Sequence, residues 1–178
     1  MRIITETQRL ILREIEETDE AGMYELDSDP EVHQYLGNKP VTTIEESRNA
    51  IALIRRQYEE NGTGRWAVIE KSEGRFIGWA GLKLYRDEIN GHSNFLEVGY
   101  RLIKKYWGKG YATEAAQTSV VYGFERLHAR EIFGMADANN AASIKVLEKC
   151  GMTHTGNFMP DGTDHVWYVI KDPRRITF

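Results

Sequence analysis

The run Phe95 to Leu127, FLEVGYRLIKKYWGKGYATEAAQTSVVYGFERL, constrains this chain more than any other stretch. It reads as a strand, a lysine-rich glycine turn and a helix in direct succession. Phe95 to Ile103 alternates, with Leu96, Val98, Tyr100 and Leu102 on one face and Glu97, Gly99 and Arg101 on the other. An acid, Glu97, therefore stands in mid-strand. After Gly110, residues Ala112, Ala115, Ala116, Ser119, Val120, Gly123, Phe124 and Leu127 form one face of an amphipathic helix whose early turns are small. Side chains of that size let the helix start lie close to a sheet.

Between strand and helix lies Lys104-Lys105-Tyr106-Trp107-Gly108-Lys109-Gly110. The first turn of a helix has N–H groups without partners and the positive end of the macrodipole, so a glycine turn leading into it can wrap an anion. Three nearby lysines sharpen that preference, and a phosphate-binding loop is the direct inference. A nucleotide P-loop does not fit, because Ile103 stands where its first glycine belongs and Gly110 follows the lysine in place of Ser or Thr. A dinucleotide fingerprint is weak as well: Thr113 occupies the third glycine position and no successive βαβ units surround it.

The 178 residues suit one domain spanning 1–178, and 41% hydrophobic with 28% charged is the composition of a soluble globule. No apolar run is long enough to cross a bilayer and the N-terminus lacks a signal peptide's apolar stretch, so a cytoplasmic protein is expected. The net charge of −4 argues against a broad nucleic-acid surface. The single Cys150 cannot form an internal disulfide and reads as a small packing residue at a helix end.

Along the chain, Arg9 to Ile15 reads as the first strand and Asp19 to Leu26 as a helix. Ser28 to Gly37 reads as a turn and short helix carrying His33, a surface or packing residue. The acids Asp27, Asp29 and Glu31 are either solvated or available to a cationic ligand. Thr42 or Thr43 caps a long helix through Glu60, stopped by Asn61-Gly62. Arg65 to Glu70 and Phe76 to Tyr85 form a hairpin, with Trp66 and Trp79 as core residues or pocket walls. After a polar loop, Asp87 to Ser93, and the central stretch come a strand, Ile132 to Ala136, and a helix capped by Asn140 with Ser143 at its third position. Met152 to Phe158 and His165 to Ile170 close the sheet around a Pro160-Asp-Gly162 turn.

Lys105-Tyr106-Trp107-Gly108-Lys109-Gly110 resembles the Arg/Gln-x-x-Gly-x-Gly/Ala hallmark of the GNAT acyl-CoA-dependent N-acetyltransferases, with lysine in the first place. Trp107 to Ala115, the Ser28 to Gly37 segment and Asn140-x-x-Ser143 are similar to the branch holding the ribosomal-protein alanine and serine N-acetyltransferases. The resemblance implies an α/β (α+β) fold with a mixed, mostly antiparallel sheet of about seven strands, helices on both faces and a V-shaped splay between the fourth and fifth strands. It implies acetyl-CoA as cosubstrate, no metal, and a primary amine as acceptor: a protein N-terminus, a polyamine or an aminoglycoside. Donor-binding positions carried over are Tyr100, Arg101, Leu102, Lys105, Gly108, Lys109, Gly110, Tyr111, Ala112, Thr113 and Asn140. Many members carry a tyrosine acid where this chain has Leu147, and Ser143, one turn earlier, can take its place. Related enzymes often pair, so a homodimer is among the expectations.

Acetyl transfer to an amine needs a base, a polarised carbonyl and a stabilised thiolate. Glu97 is the candidate base, with an exposed acid or a salt-bridge partner as its structural alternative. A backbone N–H within Gly99 to Leu102 can polarise the carbonyl, helped by a bulge that Gly99 would tolerate. Ser143 can donate to the departing sulfur. Two other classes remain open: a non-catalytic acyl-CoA sensor and a nucleotide-binding module.

Overall fold

The computed structural model describes residues 2–175. In chain order the elements are β1 (Ile3–Glu6), β2 (Leu10–Arg13), α1 (Glu20–Asp27), α2 (Ile44–Asn61), β3 (Arg65–Glu70), β4 (Arg75–Tyr85), β5 (Phe95–Leu102) and α3 (Tyr111–Glu125). They continue with β6 (Glu131–Asp137), α4 (Ala141–Lys149), β7 (Thr153–Phe158) and β8 (His165–Lys171). The strands form one sheet in the order β1-β2-β3-β4-β5-β6-β8-β7. Every neighbouring pair is antiparallel except β5 with β6.

The sheet therefore has eight strands where about seven were expected. The addition is β1, whose four residues pair with β2 across an irregular register. Four half-exposed residues carry too little alternation to be read as a strand. Ser28 to Gly37 also departs from expectation: it forms a chain of turns rather than a short helix, tied by amides such as those of Val32 and Leu36 to the carbonyls of Asp29 and His33.

Helices cover both faces. On one side the small residues of α3, Ala115, Ala116 and Ser119, are fully buried and bring that helix down onto Leu82 and Val98, with Leu147 of α4 joining the same core. On the other side Met23 and Leu26 of α1 and Ile51 of α2 pack on Ala67 and Ile69 of β3. Local chemistry sets several boundaries, and of the two threonines offered as caps for α2 it is Thr43 that serves. Thr43 and Glu46 form a reciprocal capping box at the start of α2, and Gly62 ends that helix in the left-handed conformation.

The parallel pair β5 and β6 meets at one register point, Glu97 opposite Phe133. Beyond it β5 runs on through Leu102 with β4 alone as strand partner, so the sheet opens there. This is the splay expected between the fourth and fifth strands counted from Arg9. By contrast the bulge expected at Gly99 is absent: β5 pairs one-for-one with β4 from Phe95 opposite Tyr85 to Leu102 opposite Gly78.

Candidate functional site

Three groups of side chains gather around β5, and the alternation of the strand decides which face each takes. Glu97, Gly99 and Arg101 face the α1 and α2 side. Glu97 is 4% exposed, and its Oε2 accepts from Nη2 of Arg65, which is buried as well. The second guanidinium nitrogen, Nη1, donates to the carbonyls of Gly81 (2.8 Å) and Glu97 (3.0 Å). Glu97 is thus a buried salt-bridge partner, and no partner among the described residues occupies its Oε1. Burial pushes the Glu97 carboxyl above the usual range, against the pull of Arg65 and Lys83.

The pairing gives Gly99 its purpose. A Cβ there would stand 2.5 Å from the guanidinium carbon of Arg65, so glycine makes room for the arginine instead of permitting a bulge. Gly99→Ala is expected to lower stability by about 1–3 kcal/mol through overpacking. A thermal melt checks it, and an unchanged Tm would mean that Arg65 can move aside freely.

Further along the same face, Trp79 lies between two guanidinium groups, 5.3 Å from that of Arg65 and 4.9 Å from that of Arg101. Trp66, by contrast, is core, 1% exposed and edge-on to Tyr122. Arg101 donates to Asp27 (2.6 Å), and His33 Nε2 lies 3.6 Å from the same carboxylate oxygen. His33 is buried, with both ring nitrogens lacking hydrogen bonds among the described residues.

On the opposite face, Tyr100 reaches across the splay to α4. Its hydroxyl donates to the Ser143 carbonyl at 2.7 Å and lies 3.0 Å from Ser143 Oγ. Asn140 caps α4 by accepting from the Ser143 amide at 3.0 Å. Leu147 is 1% exposed beneath Gly134 and belongs to the core. Cys150 is buried too, its thiol pushed up to about 12 by desolvation, as suits a packing residue.

At the end of β5 the chain enters the glycine loop. Gly108 (φ +73°) and Gly110 (φ +81°) are left-handed, and Gly110 forms the N-cap of α3 with no side-chain cap. Among the described residues the amides from Gly108 to Thr113 donate to no group of the chain. A row of unpaired donors at the positive end of a 15-residue helix fits a diphosphate. The lysines contribute less than their number suggests. Lys105 pairs with Glu25 at 2.7 Å and Lys104 with Glu31, so two of the three turn away onto α1 and the following turns. Lys109 stays beside the loop, its Nζ 5.3 Å from the Tyr106 ring centroid.

Two participants were not legible as site residues. Arg65 looked like the first residue of a strand, and Arg9 like the first residue of another. Only a search for charged residues opening apolar strands would have raised either.

The chain matches the Acetyltransferase (GNAT) domain family over residues 9–153. It is 34% identical over 150 residues to N-acetyltransferase p20 of Bacillus licheniformis, itself uncharacterised, covering 84% of this chain and 82% of that one. A GNAT-family acetyltransferase structure from Bacillus anthracis superposes with a TM-score of 0.77 at 30% identity, covering 96% and 98% of the two chains. Two more distant structures share the fold. They are a ribosomal-protein-S5-alanine acetyltransferase from Vibrio fischeri (TM-score 0.76, 18% identity, 95% and 96% covered) and a spermidine N-acetyltransferase from Vibrio cholerae in complex with CoA and spermine (0.75, 20%, 93% and 96%). With the family match running through most of its length, this protein belongs to the GNAT family of acetyltransferases.

Proposed function

We propose that the enzyme moves an acetyl group from acetyl-CoA to the α-amine of a protein N-terminus, in a ternary complex without a covalent enzyme intermediate. The observation that carries this reading is the division of labour across β5. Glu97 faces one side, the Tyr100–Ser143 pair faces the other, and the unpaired amides of the loop lie at the strand's end. Amides from Gly108 to Thr113 hold the diphosphate, and Asn140 keeps α4 in place alongside. In the opening beyond Glu97, a backbone N–H of Gly99 to Leu102 polarises the thioester carbonyl. Glu97 takes the proton of the attacking amine through Oε1, directly or by way of water. Ser143 donates through its hydroxyl to the leaving sulfur, while Tyr100, whose own hydroxyl is held protonated by burial, donates to the Ser143 carbonyl and so holds that residue in place.

An α-amine acceptor is favoured over a polyamine by what the acids are already doing. Asp27 is committed to Arg101, Glu31 to Lys104 and Glu25 to Lys105, and Asp29 accepts from the Glu31 amide. Three of these four acids are already paired with a cation, which leaves Asp29 as the one unneutralised carboxylate among them to hold a second or third ammonium group.

The test is thiol release from acetyl-CoA with peptides bearing free N-termini, with spermidine and with an aminoglycoside. Peptides are expected to turn over best. Preference for spermidine would reassign the acceptor, tight acetyl-CoA binding without turnover on any amine would make the protein an acyl-CoA sensor, and ATP competing as well as coenzyme A would indicate a nucleotide module.

A further inference from the structure

We propose that Arg9 is a positioning residue for the donor: it fixes the direction of the Gly110 amide by holding the carbonyl on the other side of the same peptide plane. The inference rests on the reading of the loop as a diphosphate site. Arg9 Nη1 donates to the Lys109 carbonyl at 2.9 Å. In a trans peptide the C=O and the following N–H point in opposite directions, so a guanidinium on the Lys109 oxygen turns the Gly110 N–H away from Arg9. That restraint is needed because Gly110 and Gly108, on either side of Lys109, lack the Cβ that would otherwise limit rotation of these planes.

Arg9 is itself held firmly. Its Nε donates to Glu114 Oε2 at 2.7 Å and its Nη2 lies 2.6 Å from the same oxygen. The Thr7 hydroxyl donates to Glu114 Oε1, and the Arg9 backbone N–H reaches that oxygen at 3.3 Å. The guanidinium carbon also sits 4.5 Å from the centroid of the Tyr111 ring. One side chain thus joins the turn before β2 to the loop and to the first turn of α3, although Arg9 and Lys109 are 100 positions apart in the chain. The pairing has an electrostatic consequence too. A bare carboxylate in the first turn of α3 would repel a diphosphate, and Arg9 neutralises it.

Titration calorimetry of the full chain with acetyl-CoA tests the idea, using Arg9→Ala and Arg9→Lys. Loss of a charge-assisted hydrogen bond that orders the loop is expected to raise Kd about ten- to hundredfold in Arg9→Ala. The KM for acetyl-CoA should rise in parallel, with kcat at saturating donor and the KM for the amine nearly unchanged. Arg9→Lys should restore folding but not affinity, since one ammonium cannot span Glu114 and the Lys109 carbonyl as a planar fork does. Wild-type affinity in either variant overturns the proposal; in Arg9→Lys it would mean that a nearby positive charge suffices. If the unmutated protein binds no acetyl-CoA, the assignment of the loop is what fails.

Discussion

Gly108→Val together with Gly110→Val is expected to raise the Kd for acetyl-CoA about thirtyfold to several hundredfold while the protein stays folded. Left-handed backbone costs an L-residue about 1–2 kcal/mol per position, and a β-branched side chain suffers most. Both glycines adopt it, at φ +73° and +81°. Two such penalties, at about 1.4 kcal/mol per decade of affinity, amount to about thirtyfold to several hundredfold if the loop must regain its conformation to bind. A Cβ at Gly108 meets nothing within 4 Å, so the native fold can absorb the change by letting the loop relax. Relaxation is what disperses the amides. Calorimetry with circular dichroism checks this; a folded double variant that binds acetyl-CoA normally would remove the diphosphate from this loop.

Glu97→Gln should cut thiol release about 10²- to 10⁴-fold, the span of a general base, with the Kd for acetyl-CoA unchanged. Glutamine keeps an oxygen for Arg65 and so limits the cost of stranding a buried guanidinium, which full removal of the partner would put at about 3–5 kcal/mol. Two pH effects accompany the substitution. The Glu97 carboxyl must be ionised to accept a proton, and burial raises its folded value, so the acid limb of the rate profile should lie above the ordinary glutamate range. The variant should lose that limb. Stability moves the other way: between the unfolded and the raised folded value the native state binds more protons than the unfolded one, so stability falls as pH rises through that window. Glu97→Gln should flatten this decline in a series of melts. A variant with wild-type turnover would leave Glu97 a purely structural partner of Arg65.

Features governed by neighbours in the chain were readable before the structure. A threonine cap at Thr42 or Thr43, the glycine stop at Gly62, the Asn140 cap and the strand–loop–helix order around Gly108 all depend on contacts a few residues apart. The faces of β5 were equally readable, because alternation alone assigns Glu97 and Tyr100 to opposite sides. The roles of individual charges were less so. Lys104 and Lys105 look like phosphate ligands in a linear reading, yet their partners lie 73 and 80 residues upstream. Gly99 looked like a bulge residue because the guanidinium it accommodates comes from another strand.

The sequence by itself determined that a glycine turn and a helix start follow a strand with an acid in its middle, since backbone geometry and side-chain alternation are set locally. Only the tertiary structure decided which groups face that acid, that helix start and each other: Arg65 for Glu97, Arg9 for the Lys109 carbonyl, Tyr100 for Ser143. Each pair joins elements 32 to 100 residues apart. Nothing local distinguishes such partners from other residues of like charge until the sheet and its two helical layers have brought them within bonding distance.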